Sequence, residues 1–132
     1  MIEIAHIALI LPDGQIVLQR RDDQAPLGAN RLAFFGGHVE PGETQDEAMR
    51  RELGEETSLD VTSLDIQPAH QFELIGQNGV VSHFHTYTAN IPNADFTVYE
   101  GQGAEVHSVE QIFTREDVVS SVIHALTKLG GQ

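Results

Sequence analysis

The first part of the chain alternates between apolar runs and turn-forming residues, a pattern typical of short β-strands. Residues 2–11 are mostly apolar, residues 12–14 (Pro-Asp-Gly) are turn formers, and residues 16–18 are apolar again. This order predicts a β-hairpin. Residues 22–30 are mostly polar or small and are expected to form a loop.

A short strand and a helix are predicted next. Residues 32–35 are largely apolar, and the glycine pair at residues 36–37 is expected to end that strand. Thr44 and Glu47 have the spacing of a capping box, in which each side chain bonds the other residue's backbone N–H at a helix start. The helix is therefore expected to run over Gln45–Glu56.

The second half of the chain predicts more strands and a final helix. Apolar positions favour strands over residues 66–75 and 79–91, with a hairpin turn at residues 77–79 (Gln-Asn-Gly). A further strand is expected over residues 103–108. Residues 115–129 carry apolar side chains at helical spacing, which predicts a C-terminal helix.

The order of strands, helix, strands and helix predicts an α+β fold, an α/β/α sandwich around a mixed central sheet. A length of 132 residues fits one domain, and neither a repeat nor a linker divides it, so residues 1–132 are expected to form a single domain. Apolar residues make up 40 % of the chain, which suits a globular fold and excludes a disordered tail.

Signals for export and for membrane insertion are not found in the sequence. No apolar run approaches the roughly 20 residues that span a bilayer. The N-terminus has an early Glu3 and no basic residues, which argues against a signal peptide. The chain has no cysteine, so it can form neither disulfides nor a thiolate metal site. A cytoplasmic location and no membrane partner are expected.

Acidic side chains outnumber basic ones 20 to 7, which gives a formal net charge of −13. This balance disfavours the binding of nucleic-acid polymers through a basic groove. Scattered acids would serve solubility, but seven acids fall within 17 residues: Glu40, Glu43, Asp46, Glu47, Glu52, Glu55 and Glu56. Such a local excess indicates a need for cations.

Three of these acids share one side of the predicted helix. Glu52, Glu55 and Glu56 lie at i, i+3 and i+4, within an arc of about 100°. Each like-charge pair costs roughly a few tenths of a kcal/mol, and the C-terminal end of a helix disfavours anions further. Two local rules are broken at one place, which is typical of a functional site. A hard divalent ion would relieve the repulsion, while a solvated acidic face near Arg50 and Arg51 is the alternative.

The residues around the three glutamates form a recognisable motif. It consists of Gly37, five residues, Glu43, seven residues, and then Arg51-Glu52-Leu53-Gly54-Glu55-Glu56-Thr57-Ser58-Leu59. This spacing resembles the Nudix box, and eight of its nine fixed positions match. The exception is Ser58, where the family usually has glycine. Since that glycine is expected to take a positive φ, a local adjustment of the backbone is expected at Ser58.

The resemblance implies an enzyme that hydrolyses a diphosphate linkage with Mg²⁺, or with Mn²⁺. In this family the box glutamates hold the metal, which points to Glu52 and Glu56 first, then to Glu55 and to the carbonyl oxygen of Gly37. Arg51 typically orients a glutamate of the box, and Glu43 typically supports that arginine. Bound metal also explains how so acidic a chain could take an anionic substrate.

Segments outside the box resemble MutT-like members of the family. Residues 99–105 resemble a loop whose glutamate lies at the metal site, which points to Glu100 as a metal ligand or general base, with Glu105 as the alternative if the register differs. Arg20 or Arg21, at the end of the second strand, is expected to meet substrate, with Arg20 preferred, and an ordinary surface arginine is the alternative. His38 replaces the lysine of some members and is a further candidate for substrate binding.

Histidines and aromatic residues leave two questions open. His83 and His85 share one face of a predicted strand, but no third ligand has a convincing spacing, which disfavours a zinc site. Phe34, Phe35 and Phe84 belong either to the core or to a wall that stacks on a nucleobase.

The resemblance points first to a hydrolase of (deoxy)nucleoside triphosphates, which are small-molecule substrates. Hydrolysis of ADP-ribose or nucleotide sugars is the alternative, as is a non-catalytic nucleotide-binding module on the same fold. The C-terminal segment lacks the asparagine with which MutT-like members read the base, and this weakens an assignment to oxidised guanine nucleotides. A homodimer is compatible with the family.

Overall fold

A computed structural model of the chain describes residues 1–25, 28–76 and 78–130. Within these residues, seven strands form one mixed sheet. The central strand, β1 (Ile2–Ile10), pairs in parallel along its whole length with β6 (Val81–Asn90). Its other edge is shared by two antiparallel partners, β2 (Ile16–Arg20) and β4 (Phe35–His38).

The remaining strands extend the sheet on both sides. β5 (Ile66–Ile75) pairs antiparallel with β6, whereas β3 (Leu32–Ala33) and β7 (Ala104–His107) both pair antiparallel with β2. The two hairpins that the sequence predicted are confirmed. For the second hairpin turn, Gln77 lies outside the described residues, and Gly79 takes a φ of 79° and donates to the Gly76 carbonyl.

Helices cover both faces of the sheet and confirm the predicted α/β/α sandwich. On one face, α1 (Gln45–Glu56) buries Ala48, Met49 and Leu53 against alternate residues of β1. On the other face, α2 (Val109–Thr114) and α3 (Ser120–Gly130) bury Ile112, Val122, Ala125 and Leu126. A short 3-10 turn, Val61–Ser63, follows α1. No helix in the described part of the chain is both long and apolar enough to cross a membrane.

The start of α1 agrees with the sequence prediction. The Thr44 hydroxyl accepts from the Glu47 backbone N–H at 3.1 Å, and the Glu47 carboxylate accepts from the Thr44 N–H at 2.9 Å. This reciprocal capping fixes the first turn of α1. Because residues of a helix follow one another at a fixed rotation, this start also sets which side chains of the last turn of α1 face the sheet.

The prediction that Gly36 and Gly37 end a strand was wrong, because both lie within β4. Gly36 has a φ of 146°, and a Cβ there would lie 2.2 Å from the Ala5 carbonyl oxygen. Gly36 therefore serves close packing between β4 and β1, and neither glycine interrupts the strand. The preceding strand, β3, is only two residues long, and Phe34 separates it from β4.

The prediction of one helix over residues 115–129 was also wrong at its start, since α3 begins at Ser120. Val118, which fitted the helical spacing, instead forms a β-bridge with Leu32 and packs in the same core. The short helix α2 was not predicted. Its capping box, formed by Ser108 and Gln111, is a signal in the sequence that could have located it.

Candidate active site

The last turn of α1 places two carboxylates against the strand β4. Glu56 is 5 % exposed, and its Oε1 accepts a hydrogen bond from the Gly36 backbone N–H at 3.0 Å. The Glu52 carboxyl group lies directly on Gly37, so close that a Cβ at residue 37 would be 2.6 Å from its carboxyl carbon. Gly37 thus provides the room in which Glu52 approaches the sheet, and Gly36 supplies a backbone donor to Glu56.

The electrostatics of these two carboxylates are unfavourable without a cation. The pKa of Glu56 is raised to about 8, chiefly by burial and also by the charges of Glu52 and Glu100, against the lowering effect of the hydrogen bond from Gly36. Burial is also the main cause that raises the pKa of Glu52, opposed by Arg51. Buried oxygen donors that repel one another match the donor set of a hard divalent ion.

Arg51 joins the glutamates of α1 to the turn before the helix. Its Nε and Nη2 donate to the two oxygens of Glu43 at 2.6 and 3.1 Å. Its Nη1 donates to Glu52 at 3.0 Å and to Glu55 at 3.3 Å, and Nη2 also reaches the His38 carbonyl oxygen at 3.1 Å. Arg51 lowers the pKa of Glu43. The arginine holds Glu52 in place, while Glu55 stays largely exposed.

Ser58, the irregular position of the motif, is accommodated without a positive φ. Its backbone N–H donates to the Thr97 carbonyl oxygen at 2.9 Å, and its hydroxyl accepts from the Thr97 N–H at 2.8 Å. Thr57 caps the helix in an extended conformation, and its N–H bonds the Leu53 carbonyl oxygen. A glycine is therefore not required at this helix end.

The structure places the two candidate carboxylates of residues 99–105, Glu100 and Glu105, in different surroundings. Glu100 lines the cavity beside α1, and its charge raises the pKa values of both Glu52 and Glu56. Glu105 lies on β7, where it accepts two hydrogen bonds from Arg20 at 2.7 and 2.8 Å. The alternative register that would bring Glu105 to the glutamates does not occur.

Arg20, the arginine preferred from the sequence, forms ion pairs with other residues of the fold. Besides Glu105 it donates to Asp117 at 2.8 Å and to the Asn30 carbonyl oxygen at 2.8 Å. It thereby ties β2 and β7 to the segment before α3. Arg21, not Arg20, lines the cavity.

This ion-pair cluster predicts an acid-sensitive contribution to stability. Arg20 lowers the pKa of Glu105 from 4.5 to about 2. The pair therefore stabilises the fold fully above about pH 5 and loses this effect as the pH falls towards 2. Because Glu105 is about a third exposed, we expect Glu105→Gln to lower the free energy of unfolding by about 1 kcal/mol at pH 7 and by much less near pH 3.

Urea unfolding of the wild type and of Glu105→Gln at both pH values measures this difference. The exposed neighbour of Asp117 offers a matched control, Glu116→Gln. A difference between wild type and Glu105→Gln that is independent of pH, or that equals the effect of Glu116→Gln, would contradict the prediction.

A cavity of about 510 Å³ opens beside the carboxylates. Its polar lining includes Gln19, Arg21, His38, Glu56 and Glu100, and its apolar lining includes Ile4, Phe34, Leu74, Phe84 and Val119. Phe35 is fully buried in the core under α1. Phe34 is buried in the core on the other face of the sheet and also lines the cavity, as does the partly buried Phe84.

Two polar groups of the cavity stand out by their burial. The Nε of Arg21 is buried and has no hydrogen-bond partner among the described residues. His6 lies between the rings of Phe34 and Phe84, and its Nε2 is hydrogen-bonded to the Thr86 hydroxyl at 2.7 Å. Burial lowers the pKa of His6 to about 3. Sequence analysis missed His6 and Gln19. His6 is a polar residue between apolar neighbours, and Gln19 follows an apolar run directly; a polar residue in such a context is a signal for a functional position.

Comparison with known proteins gives consistent results. A model of the NUDIX domain matches residues 2–128. The chain is 38 % identical to the CTP pyrophosphohydrolase of Escherichia coli over 87 residues, 66 % of this chain and 61 % of that protein. It is 33 % identical to the oxidized purine nucleoside triphosphate hydrolase of Danio rerio over 103 residues, 78 % of this chain and 60 % of that protein. The matches thus span about three fifths of each relative.

Solved structures agree in fold. A crystal structure of a protein from Deinococcus radiodurans has a TM-score of 0.80 at 25 % identity, covering 96 % of this chain and 82 % of that chain. The crystal structure of a MutT protein from Methanosarcina mazei has a TM-score of 0.82 at 20 % identity, covering 99 % and 96 %. The second likeness concerns the fold alone.

Proposed function

This chain belongs to the NUDIX domain family, and from that premise we propose that it is a metal-dependent hydrolase that cleaves the diphosphate linkage of nucleotides. The observation that carries the proposal is that Glu56 and Glu100 line one cavity, with Glu52 against its lining residue Gly37. The same cavity contains the Arg21 Nε, which has no hydrogen-bond partner among the described residues. The carboxylates suit a cation and the arginine suits a phosphate, so one cavity serves both parts of a metal–nucleotide substrate.

We propose that Glu52, Glu56 and Glu100 hold Mg²⁺, or Mn²⁺, with Glu55 and the Gly37 carbonyl oxygen as further donors. When bound, such an ion offsets the charge of the diphosphate and makes water more acidic. Hydrogen bonds from the protein fix two of these donors: Gly36 N–H orients Glu56, and Arg51 Nη1 orients Glu52. Glu43 in turn holds Arg51 through both of its oxygens.

Glu100 is our candidate for the general base. Its carboxylate would take a proton from the water whose oxygen attacks phosphorus, while the bond from phosphorus to the bridging oxygen breaks. Glu105 is not available for this task, because Arg20 engages both of its oxygens. Glu55 is exposed and bonded to Arg51 and is thus a weaker candidate.

A (deoxy)nucleoside triphosphate is the proposed substrate class. The cavity, at about 510 Å³, lies in the range of sites that hold one small ligand. Phe34 and Phe84 contribute apolar aromatic surface to the cavity for a nucleobase, and the amide of Gln19 supplies a donor and an acceptor for its edge. The two curated relatives described above bear names of nucleoside triphosphate hydrolases, one acting on CTP and one on oxidised purine nucleotides.

A substrate panel tests this function. The panel contains CTP, dCTP, GTP, the oxidised guanine triphosphate, ADP-ribose and a nucleotide sugar, each with Mg²⁺ and with chelator, and products are separated by ion-exchange chromatography. We expect metal-dependent release of pyrophosphate and a nucleoside monophosphate from at least one triphosphate. Turnover of ADP-ribose or of the sugar alone would favour that alternative, and binding without any turnover would favour a non-catalytic module.

Arg21 is expected to contribute to substrate affinity. Its buried Nε has no hydrogen-bond partner among the described residues, so a phosphate or base oxygen of the substrate could accept a hydrogen bond from it. A charge-assisted bond of this kind is worth about 1.5–3 kcal/mol. We expect Arg21→Ala to raise KM for the preferred nucleotide by about tenfold or more and to change kcat less. The exposed Arg31 offers the matched control Arg31→Ala, and equal KM values for the two variants would contradict this assignment.

A further inference from the structure

Three metal-binding side chains meet on the sheet away from the cavity. Glu3 of β1 lies beside His83 in the parallel pairing of β1 with β6, and His85 lies two residues further along β6. The three residues lie on the same face of the sheet as Ala5 and Tyr87, which belong to the core under α1. His85 is buried and the other two side chains are partly exposed, so the cluster is ordered by the sheet and still reachable from solvent.

The three side chains point their ligand atoms at one another. Glu3 Oε1 lies 2.7 Å from His85 Nε2 and 3.2 Å from His83 Nδ1. One ligand atom from each residue lies within 4.8 Å of the other two. Ligands of a tetrahedral ion at about 2.0–2.1 Å are separated by little more than 3 Å, so the trio closes around such an ion with small side-chain rotations.

The hydrogen bonding of His83 leaves a lone pair inside the cluster. Its outer nitrogen, Nε2, lies 3.0 Å from the amide oxygen of Gln71, which can only accept a hydrogen bond. The proton of a neutral His83 therefore belongs on Nε2, and Nδ1 presents its lone pair to the Glu3 carboxylate. Two electron-pair donors facing each other call for a proton or a metal ion between them, and an outer carbonyl acceptor is the usual partner of a metal-bound imidazole.

The chemistry of the donors selects the class of ion. Imidazole nitrogens favour transition ions of the zinc class, whereas the active-site carboxylates offer only the hard oxygen donors that suit Mg²⁺. None of the three residues lines the cavity with Glu56 and Glu100. His85 and Gln71 instead line a separate groove of about 440 Å³ over β5 and β6, which leaves room for a water or for a further ligand.

We propose that Glu3, His83 and His85 form a second metal site, which takes Zn²⁺ or a similar transition ion and links β1 to β6. Sequence analysis disfavoured zinc because it found no third ligand with a convincing spacing. Glu3 is that ligand, and it was missed because 80 residues separate it from His83 along the chain. The exposed Glu73, which lies opposite His83 on β5, adds negative charge near the site.

Two measurements on the full chain, stripped of metal with a chelator, test this proposal. The first is isothermal titration with Zn²⁺ in the presence of excess Mg²⁺. The second is the Tm before and after addition of Zn²⁺. The variants are His83→Gln and Glu3→Gln in the trio, Glu56→Gln in the active site, and His70→Gln as a control histidine on β5. We expect one tight Zn²⁺ site per chain that raises the Tm. Its affinity should fall at least about 10- to 100-fold in both trio variants and stay unchanged in Glu56→Gln and His70→Gln.

Two results would overturn the proposal. One is the absence of a tight Zn²⁺ site in the wild type. The other is a site that survives in His83→Gln and Glu3→Gln, including one that is lost only in Glu56→Gln and therefore belongs to the active site. The Tm of each metal-free variant shows that it is folded, and since nucleotide turnover is not the readout, the result is independent of the proposed function.

Discussion

Glu56→Gln should lower metal-dependent kcat by about 10²-fold or more while leaving the metal-free protein as stable as the wild type. The loss is expected because the substitution removes the charge of a donor placed at the cavity, and even partners outside a metal's own ligands are worth roughly 10- to 100-fold. Stability is retained because the glutamine Oε1 can still accept a hydrogen bond from the Gly36 N–H. The substitution also removes the charge repulsion between the Glu56 carboxylate and those of Glu52 and Glu100.

The same helix offers a matched control in Glu47→Gln. This substitution makes the same chemical change, and glutamine keeps the capping box with Thr44. Steady-state kinetics with the best nucleotide of the panel, together with thermal unfolding, separate the two effects. If Glu56→Gln turns over as fast as Glu47→Gln, the assignment of Glu56 to the metal fails.

Gly36→Ala is expected to have the largest effect on stability. A Cβ at residue 36 would lie 2.2 Å from the Ala5 carbonyl oxygen and 2.6 Å from the His6 Cα, both backbone atoms of the central strand. The φ of 146° adds a conformational cost for any side chain. Together these effects should lower the free energy of unfolding by about 3 kcal/mol or more and the Tm by roughly 10 °C or more.

Gly42→Ala separates the two causes. Gly42 also has a positive φ, 83°, but a Cβ there would meet nothing within 4 Å. Its cost should therefore be only the conformational one, about 1–2 kcal/mol. Urea unfolding of both variants measures the difference, and equal losses would show that the contact between β4 and β1 is not as close as described.

Local signals in the sequence were sufficient for the elements and for the motif. Thr44 and Glu47 located α1 because capping depends only on residues three apart, and the spacing from Gly37 to Glu56 predicted which carboxylates gather. The errors arose where tertiary contacts override a local pattern. Val118 fits a helix by spacing but pairs with Leu32, and Gly36 looks like a strand end but lies within β4.

Long-range contacts set the limit of prediction at the candidate site as well. Arg20 and Arg21 are neighbours with the same chemistry, and only the positions of Glu105 and Asp117 show that Arg20 is engaged. The choice between Glu100 and Glu105 likewise depended on the pairing of β7 with β2. Glu3 and His83 meet only because β1 and β6 pair in parallel.

That parallel pairing has a consequence for the growing chain. The first strand finds its main partner only after β6 has been made, since Ile2 pairs with Ser82 and Ile10 with Asn90. At about 5–20 residues per second, the ribosome needs roughly 4–16 s to supply those 80 residues. During that interval the early hairpin of β1 and β2 leaves the other edge of the apolar strand β1 unpaired. Folding of the whole sheet is therefore expected to follow synthesis of the last third of the chain. A chain whose synthesis is interrupted before β6 would expose that unpaired edge, which favours aggregation.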